Sequence, residues 1–228
     1  MTDPLVRLEE IVFAYETGRP VLDGVSLEIG AGQRIALTGR NGSGKTTLLH
    51  LIVGLLRPVS GRIVAFGHER RTEADFHDVR CRAGLLFQDP DDQLFCPTVA
   101  EDVAFGPLNL GRSRAEISGL VQETLSGLGL SGYEDRITYR LSGGEKRLVS
   151  LATVLAMQPD VLLLDEPTSG LDAETEERLT DILRALPQAL LVVSHDRVFL
   201  ERVTQWEVFL ENGKLRPRDR IAPSRIDS

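Results

Sequence analysis

The sequence is short of cysteine, of long apolar runs and of positive charge, and each shortage closes off a class of protein. Cys81 and Cys96 are the only cysteines in 228 residues, too few for a disulfide framework, so a reducing compartment is expected. The longest apolar runs, such as Val161 to Leu164 and Ala189 to Val193, span only a few residues, whereas a membrane-crossing helix needs about 20. The N-terminus mixes Asp3, Arg7, Glu9 and Glu10 with its apolar residues, which is not the pattern of a secretory signal. Lys plus Arg number 26 against 34 Asp plus Glu, a net charge of −8, and dedicated nucleic-acid binders usually carry a basic footprint. No repeat, heptad run or low-complexity tract stands out. What remains is a globular chain expected in the cytoplasm, with attachment to a membrane protein left open.

The composition present is ordinary for such a chain, at 42% hydrophobic and 26% charged. The length suits one large domain or a core with one insertion. Leu5 to Phe13, Val25 to Ile29 and Ile35 to Leu37 read as strands, the first two separated by Gly18, Pro20 and Gly24. Lys45 to Leu55 reads as a helix, with Leu48, Leu49, Ile52 and Leu55 at helical spacing. Ile63 to Ala65 and Leu85 to Phe87 are further strands. From Asp89 to about Met157 strand-like runs give way to amphipathic stretches such as Arg114 to Leu128. Val161 to Leu164 and Ala189 to Val193 are buried strands around a helix from Ala173 to Leu186. The segment after Lys214 reads as a solvated tail, with Arg216, Arg218, Arg220 and Arg225 against Asp219 and Asp227.

Alternating strands and helices predict an α/β core with a mainly parallel sheet and an inserted helical subdomain. Ligands bind such sheets at the carboxyl ends of the strands. Thr38-Gly39, Gln88, Asp165-Glu166 and Ser194-His195 each follow a buried strand, so one site assembled from all four is the economical reading.

The first of these ends opens a phosphate cradle. Gly39-Arg40-Asn41-Gly42-Ser43-Gly44-Lys45-Thr46 fits G-x-x-x-x-G-K-[ST] with no departure and is followed by Thr47. The glycines let successive N–H groups face an anion, and the helix that follows points its positive end at it. Lys45 is expected on the β- and γ-phosphates of ATP, and the Thr46 hydroxyl on Mg²⁺. Val161 to Leu164 followed by Asp165-Glu166 reads as a Walker B strand, with Asp165 on Mg²⁺ and Glu166 as general base toward an attacking water. Leu141-Ser142-Gly143-Gly144-Glu145 precedes an apolar-periodic helix. By itself it is a capping box, Ser142 as N-cap and Glu145 three residues on, and a capped end with two glycines is also an anion site.

Together these motifs resemble those of ABC-type ATPases, and the resemblance covers about residues 5–215. It implies a P-loop NTPase core, an N-terminal antiparallel β subdomain and the inserted α-helical subdomain. The boundaries are about 1–88 and 158–215 for the core with its β subdomain, about 89–157 for the helical signature subdomain, and 216–228 for a basic tail. It further implies that Tyr15 stacks on adenine, although an aromatic there could simply sit at the core edge. Gln88 matches the Q-loop glutamine, a Mg²⁺ and catalytic contact. Ser169-Gly170-Leu171-Asp172 matches the D-loop, and His195 the switch histidine touching the γ-phosphate. Two copies pack head to tail, so that ATP on one chain's Lys45 loop meets the other chain's Ser142, Gly143, Gly144, Glu145 and Asp172. Glu145 stands where Gln is usual. A carboxylate aimed at phosphate would be repelled, so Glu145 is expected to turn back as a cap.

The most specific segment is Phe87-Gln88-Asp89-Pro90-Asp91-Asp92-Gln93-Leu94-Phe95, continued by Thr98-Val99 and Glu101-Asp102-Val103-Ala104-Phe105-Gly106-Pro107. It is similar to the ATPase component of energy-coupling factor (ECF) transporters. That resemblance implies a homodimer on the cytoplasmic face of the membrane, bound to a transmembrane coupling component and a substrate-binding membrane component. Asp89, Asp91, Asp92, Gln93, Leu94 and Phe95 are the expected partner contact. The chain ends soon after Trp206 to Leu210, a compact form more like the cobalt or nickel uptake ATPases than the vitamin-type ones. An ECF ATPase for a vitamin such as biotin, or a soluble ABC ATPase unconnected with transport, is the alternative.

Overall fold

The structure, a computed structural model, describes residues 3–16 and 18–218. It divides into two compact units, one comprising residues up to Leu85, Asp160–Glu166 and those from Pro187 on, the other Leu86–Pro159 and Pro167–Leu186.

The first unit is built on two sheets. β1 (Val6–Phe13) lies between β2 (Leu22–Ile29) and β4 (Ser60–Ala65), and β4 pairs with the short β5 (His68–Glu69). All three pairings are antiparallel. β1 buries alternate residues, Val6, Leu8, Ile11 and Phe13, with a register shift between Leu8 and Ile11. The second sheet has the order β10 (Lys214–Arg218), β9 (Trp206–Glu211), β3 (Arg34–Gly39), β8 (Ala189–Val193), β7 (Val161–Asp165), β6 (Ala83–Leu86). β9, β3, β8 and β7 pair in parallel and β10 adds antiparallel. Every residue of β7 and β8 is buried, which is why both read as continuous apolar runs rather than alternating ones. The mainly parallel sheet and the antiparallel N-terminal sheet are as the sequence predicts.

The helices of this unit are α1 (Lys45–Ile52), α2 (Glu73–Arg82) and α7 (Arg197–Val203). α1 stops short of the predicted Leu55, because Gly54 takes φ +73° and backs onto the Phe76 ring so closely that a Cβ would lie 2.2 Å from it. The first residues after Lys214, read as solvated tail, instead belong to β10 (Lys214–Arg218) against β9, while Asp219, Arg220, Arg225 and Asp227 lie outside the described residues.

The second unit is helical: α3 (Val99–Asn109), α4 (Arg114–Gly127), α5 (Gly143–Leu155) and α6 (Ala173–Ala185). Thr98 with Glu101, Ser113 with Glu116 and Ser142 with Glu145 form capping boxes on α3, α4 and α5. Asp102, 3% exposed, accepts from the backbone N–H groups of Phe95 and Cys96 and from the Thr138 hydroxyl. One buried carboxylate thus ties the loop before α3 to the turn before α5. Burial and Asp102 push the Cys96 thiol up to about 11, which leaves it a packing residue rather than a nucleophile.

Candidate active site

In the first unit the loop from Gly39 to Gly44 joins β3 to α1. Gly39 has φ +148°, and a Cβ there would lie 2.4 Å from the Leu210 carbonyl oxygen; Gly44 has φ +103°, and a Cβ would lie 2.7 Å from Val21. Only glycine fits either place. Gly44 is also the N-cap of α1 and offers no side-chain acceptor. The first-turn N–H groups of α1 therefore keep the positive end of the helix open. Ser43 Oγ is buried and makes no hydrogen bond. Arg40, Asn41 and Gly42 are exposed along the same loop.

Lys45 is buried and folds back along the loop, where Nζ donates to the Gly39 and Arg40 carbonyls at 3.0 and 3.1 Å. Desolvation pushes the ammonium below its ordinary pKa, against the opposing pull of the Glu166 and Asp165 charges. The Thr46 hydroxyl donates to Asp165 Oδ2 at 2.6 Å, bringing together the two oxygen ligands that the sequence assigned to one cation. Thr47 is buried, and its hydroxyl lies 2.9 Å from the Tyr15 hydroxyl. Tyr15 is 55% exposed, edge-on to Phe13, so its ring is braced on one side and open on another.

Glu166 follows β7 with φ +46°, a backbone state that costs a non-glycine residue about 1–3 kcal/mol. Its own N–H donates to the Val193 carbonyl at 2.9 Å, locking the end of β7 to that of β8. The His195 N–H donates to Glu166 Oε2 at 3.3 Å, and His195 Nε2 lies 3.2 Å from Oε1. Oε1 is buried and makes no hydrogen bond. Lys45, Thr46, Asp165, Glu166 and His195 thus converge at the carboxyl ends of β3, β7 and β8.

The second unit holds the remaining predicted residues. Glu145 turns back on the start of α5: the Ser142 N–H donates to Oε2 at 2.8 Å, and the Glu145 N–H to Ser142 Oγ at 3.3 Å. The Tyr133 hydroxyl and Arg136 Nη1 donate to Oε1 at 2.7 and 3.0 Å. These bonds, the Ser142 one foremost, hold the carboxyl below its ordinary pKa. Gly143 and Gly144 stand beside this cap. Asp172 is the N-cap of α6, with its oxygens accepting from the Thr175 N–H and hydroxyl, both at 2.9 Å.

Gln88 is exposed. The loop it sits on is pinned by Arg147, which is 2% exposed and whose guanidinium donates to the Phe87 and Gln88 carbonyls. Sequence reading takes Arg147 only as the last residue of Leu141 to Arg147, a segment similar to ECF ATPases, and gives it no role of its own; the apolar residues that follow it, Leu148 and Val149, were the signal for its burial. Within Asp89 to Phe95 the expected surface is partly internal. Asp89 caps the turn by accepting from the Asp91 N–H at 2.9 Å, and Asp91 pairs with Lys146 at 2.5 Å. Gln93 faces inward, donating to the Ser150 carbonyl and the Thr153 hydroxyl at 2.9 and 2.8 Å, and Leu94 is buried. Asp92 and Phe95 are exposed, and the Phe95 ring meets Phe105 edge to face at 4.8 Å. Among the described residues no helix is long and apolar enough to cross a membrane.

Comparison with known proteins places this geometry. The ABC transporter family profile matches residues 22–169. A Brucella suis relative, described only in general terms as an ABC transporter ATP-binding protein, is 58% identical over 94% of the chain and 89% of its own length. The cobalt import ATP-binding protein CbiO of Rhodobacter capsulatus is 49% identical over 85% of the chain and 70% of its own. The energy-coupling factor transporter ATP-binding protein EcfA of Methanothermobacter thermautotrophicus is 40% identical over 92% and 69%. Among solved structures, CbiO1 of Clostridium perfringens, part of an ABC transporter complex CbiONQ, superposes with a TM-score of 0.85 at 33% identity, covering 94% of this chain and 88% of that one. A dimeric post-hydrolysis ATP-binding cassette bound to ADP and phosphate superposes with a TM-score of 0.87 at 25% identity, covering 95% and 99%.

Proposed function

The chain belongs to the ABC transporter ATP-binding family and is an ATPase of that family, and from that premise we propose that it energises an ECF-type importer of cobalt or nickel ions. The observation that carries the chemistry is the convergence of Lys45, Thr46, Asp165, Glu166 and His195 at the ends of three parallel strands. The likeness to EcfA and CbiO carries the transport reading.

In this reading Tyr15 stacks on the adenine, and the N–H groups of residues 39–47 with Lys45 hold the phosphates. The Gly39 and Arg40 carbonyls hold the Lys45 ammonium folded back along the loop. Thr46 and Asp165 present adjacent oxygens, a donor set that would suit Mg²⁺. When bound, that ion neutralises charge on the phosphate oxygens. Glu166 polarises the attacking water through its carboxylate, whose Oε1 also lies 3.2 Å from His195 Nε2. Its strained backbone holds that oxygen in place before substrate arrives. His195 bridges Glu166 and the γ-phosphate. A second copy supplies Gly143, Gly144, Ser142 and Asp172, so that the nucleotide lies between two chains. The chain sits peripherally at the cytoplasmic face, where Phe95 and Asp92 meet the transmembrane component.

Glu166→Gln is the test of the site. With ATP it accumulates as a stable dimer and does not turn over. A variant that stays monomeric and hydrolyses at the parental rate overturns the mechanism. The cargo is tested by uptake of radioactive cobalt, nickel and biotin in cells carrying the chain with its membrane partners. Metal uptake lost with Lys45→Ala supports the reading, and biotin uptake lost instead replaces it with the vitamin one.

A further inference from the structure

β9 runs between β10 and β3, an inner place where an apolar residue is the rule. Yet Glu207, its second residue, is 4% exposed. An ionised carboxylate at such depth is costly unless it is tied. Here it is tied on both oxygens. The Thr38 hydroxyl donates to Oε1 at 2.6 Å and Arg197 Nη1 to Oε2 at 2.9 Å. Glu207 pairs in register with Ala36, so Thr38 is its diagonal neighbour on the same face of the sheet. Arg197 is held in turn by Glu201, whose Oε1 accepts from Nε at 3.0 Å.

The two ends of this link matter more than its middle. Thr38 immediately precedes Gly39, whose carbonyl receives the Lys45 ammonium. Arg197 comes two residues after His195 and is the first residue of α7, which Asp196 caps by accepting the Phe199 N–H at 3.0 Å. We infer that Thr38, Glu207 and Arg197 form a bridge of positioning residues, which fixes the turn carrying His195 against the strand that feeds the phosphate loop. Only one end of the pair is buried, Glu207 at 4% exposure against 56% for Arg197, so its net contribution to stability is modest and what singles it out is where its two ends lie. What the bridge supplies is a fixed distance between the end of β3 and the start of α7, since a slide of α7 would break the Arg197 bond while leaving the capped helix intact. The inference rests on the reading of His195 as a γ-phosphate contact.

The test is ATP turnover by the full chain, with Arg197→Ala, Glu207→Gln, the double variant and Arg197→Lys beside the parent. Arg197→Ala lowers kcat about tenfold and leaves KM for ATP within about twofold, because only the reacting geometry is disturbed. Glu207→Gln does the same, the double variant is no worse than either single one, and Arg197→Lys recovers part of the loss. In the NMR spectrum of the parent and of Arg197→Ala, the ring signals of His195 shift while those of His50, His68 and His77 hold. Parental kcat in Arg197→Ala with an unmoved His195 overturns the bridge, as does a double variant whose losses multiply. Arg197 is exposed on its outer side, so its variant keeps the test alive should Glu207→Gln fail to fold. Glu166→Gln is assayed in parallel. If it hydrolyses normally, the reading of the site has failed. If it is inert while Arg197→Ala is normal, the bridge alone has failed.

Discussion

Two helices begin at glycine-rich motifs that the sequence marks for phosphate, and the structure starts them in opposite ways. α1 begins at Gly44, in a left-handed conformation and with no side-chain cap. α5 begins at Ser142, in an extended conformation, with both halves of a capping box closed and Tyr133 and Arg136 braced on Glu145. The bare end leaves its first-turn N–H groups without a side-chain cap, which in the proposed reading serves a nucleotide held throughout the reaction. The braced end spends the N–H groups of Ser142 and Glu145 on its own cap and leaves those of Gly143 and Gly144. If, as proposed, this end is supplied by a second chain, it must be right before its ligand arrives and is better built rigid than open. The carboxylate of Glu145 is compatible with that task because two donors and the Ser142 N–H already satisfy it.

The comparison breaks most severely at Gly44. Gly44→Ala places a methyl group 2.7 Å from Val21 at φ +103°, and ATP affinity, measured by calorimetry, falls about 100-fold or more as the loop N–H groups lose their aim. At the other helix, Ser142→Ala removes the cap and lowers stability by about 1 kcal/mol, read as a drop in denaturation midpoint, while ATP affinity of the single chain is unchanged. Tyr133→Phe leaves Glu145 Oε1 one donor short, with a loss of about 0.5–1.5 kcal/mol. Glu145→Gln costs a similar amount, since its one amide oxygen can accept the Ser142 N–H or the Tyr133 and Arg136 donors but not both sets. Its signature lies in pH. The folded carboxyl of Glu145 titrates below its unfolded value. Its contribution is therefore present above the unfolded value of about 4.3 and is lost as pH falls through the folded one. Melting curves between pH 7 and pH 3 are accordingly less acid-sensitive in Glu145→Gln than in the parent.

What could be read in advance follows the same division. β7 and β8 were legible because a strand buried on both faces must be apolar throughout. The phosphate loop was legible because its spacing is set by backbone geometry that few sequences satisfy. Glu145 was legible as a cap from its spacing to Ser142, but Tyr133 and Arg136 were not, since nothing local says which side chains will reach a carboxylate nine and twelve residues away. α2 was missed because it buries only Phe76 and Val79, too few for a helical period to show. β5, two residues long, carries no pattern at all. The acidic run from Asp89 is legible only in part. Charge suggests surface, and Asp89, Asp91 and Asp92 are exposed, but Gln93 turns inward to α5 and Leu94 is buried. Glu207 was hidden by its strand, where an isolated carboxylate reads as an exposed edge and its partners lie 169 and 10 residues away in sequence.

The central claim is that the bare helix end binds the nucleotide within one chain and the braced end completes the site from another. Gly143 tests it, for a Cβ there meets nothing within 4 Å and an acidic residue at a helix start does not disturb the fold. In a Glu166→Gln background, sedimentation with ATP is run with and without Gly143→Asp, and bound nucleotide is counted in each species. The account predicts that Glu166→Gln sediments as an ATP-bound dimer, whereas the double variant binds ATP with the same affinity as a monomer. A double variant that still dimerises, or that no longer binds ATP at all, contradicts it.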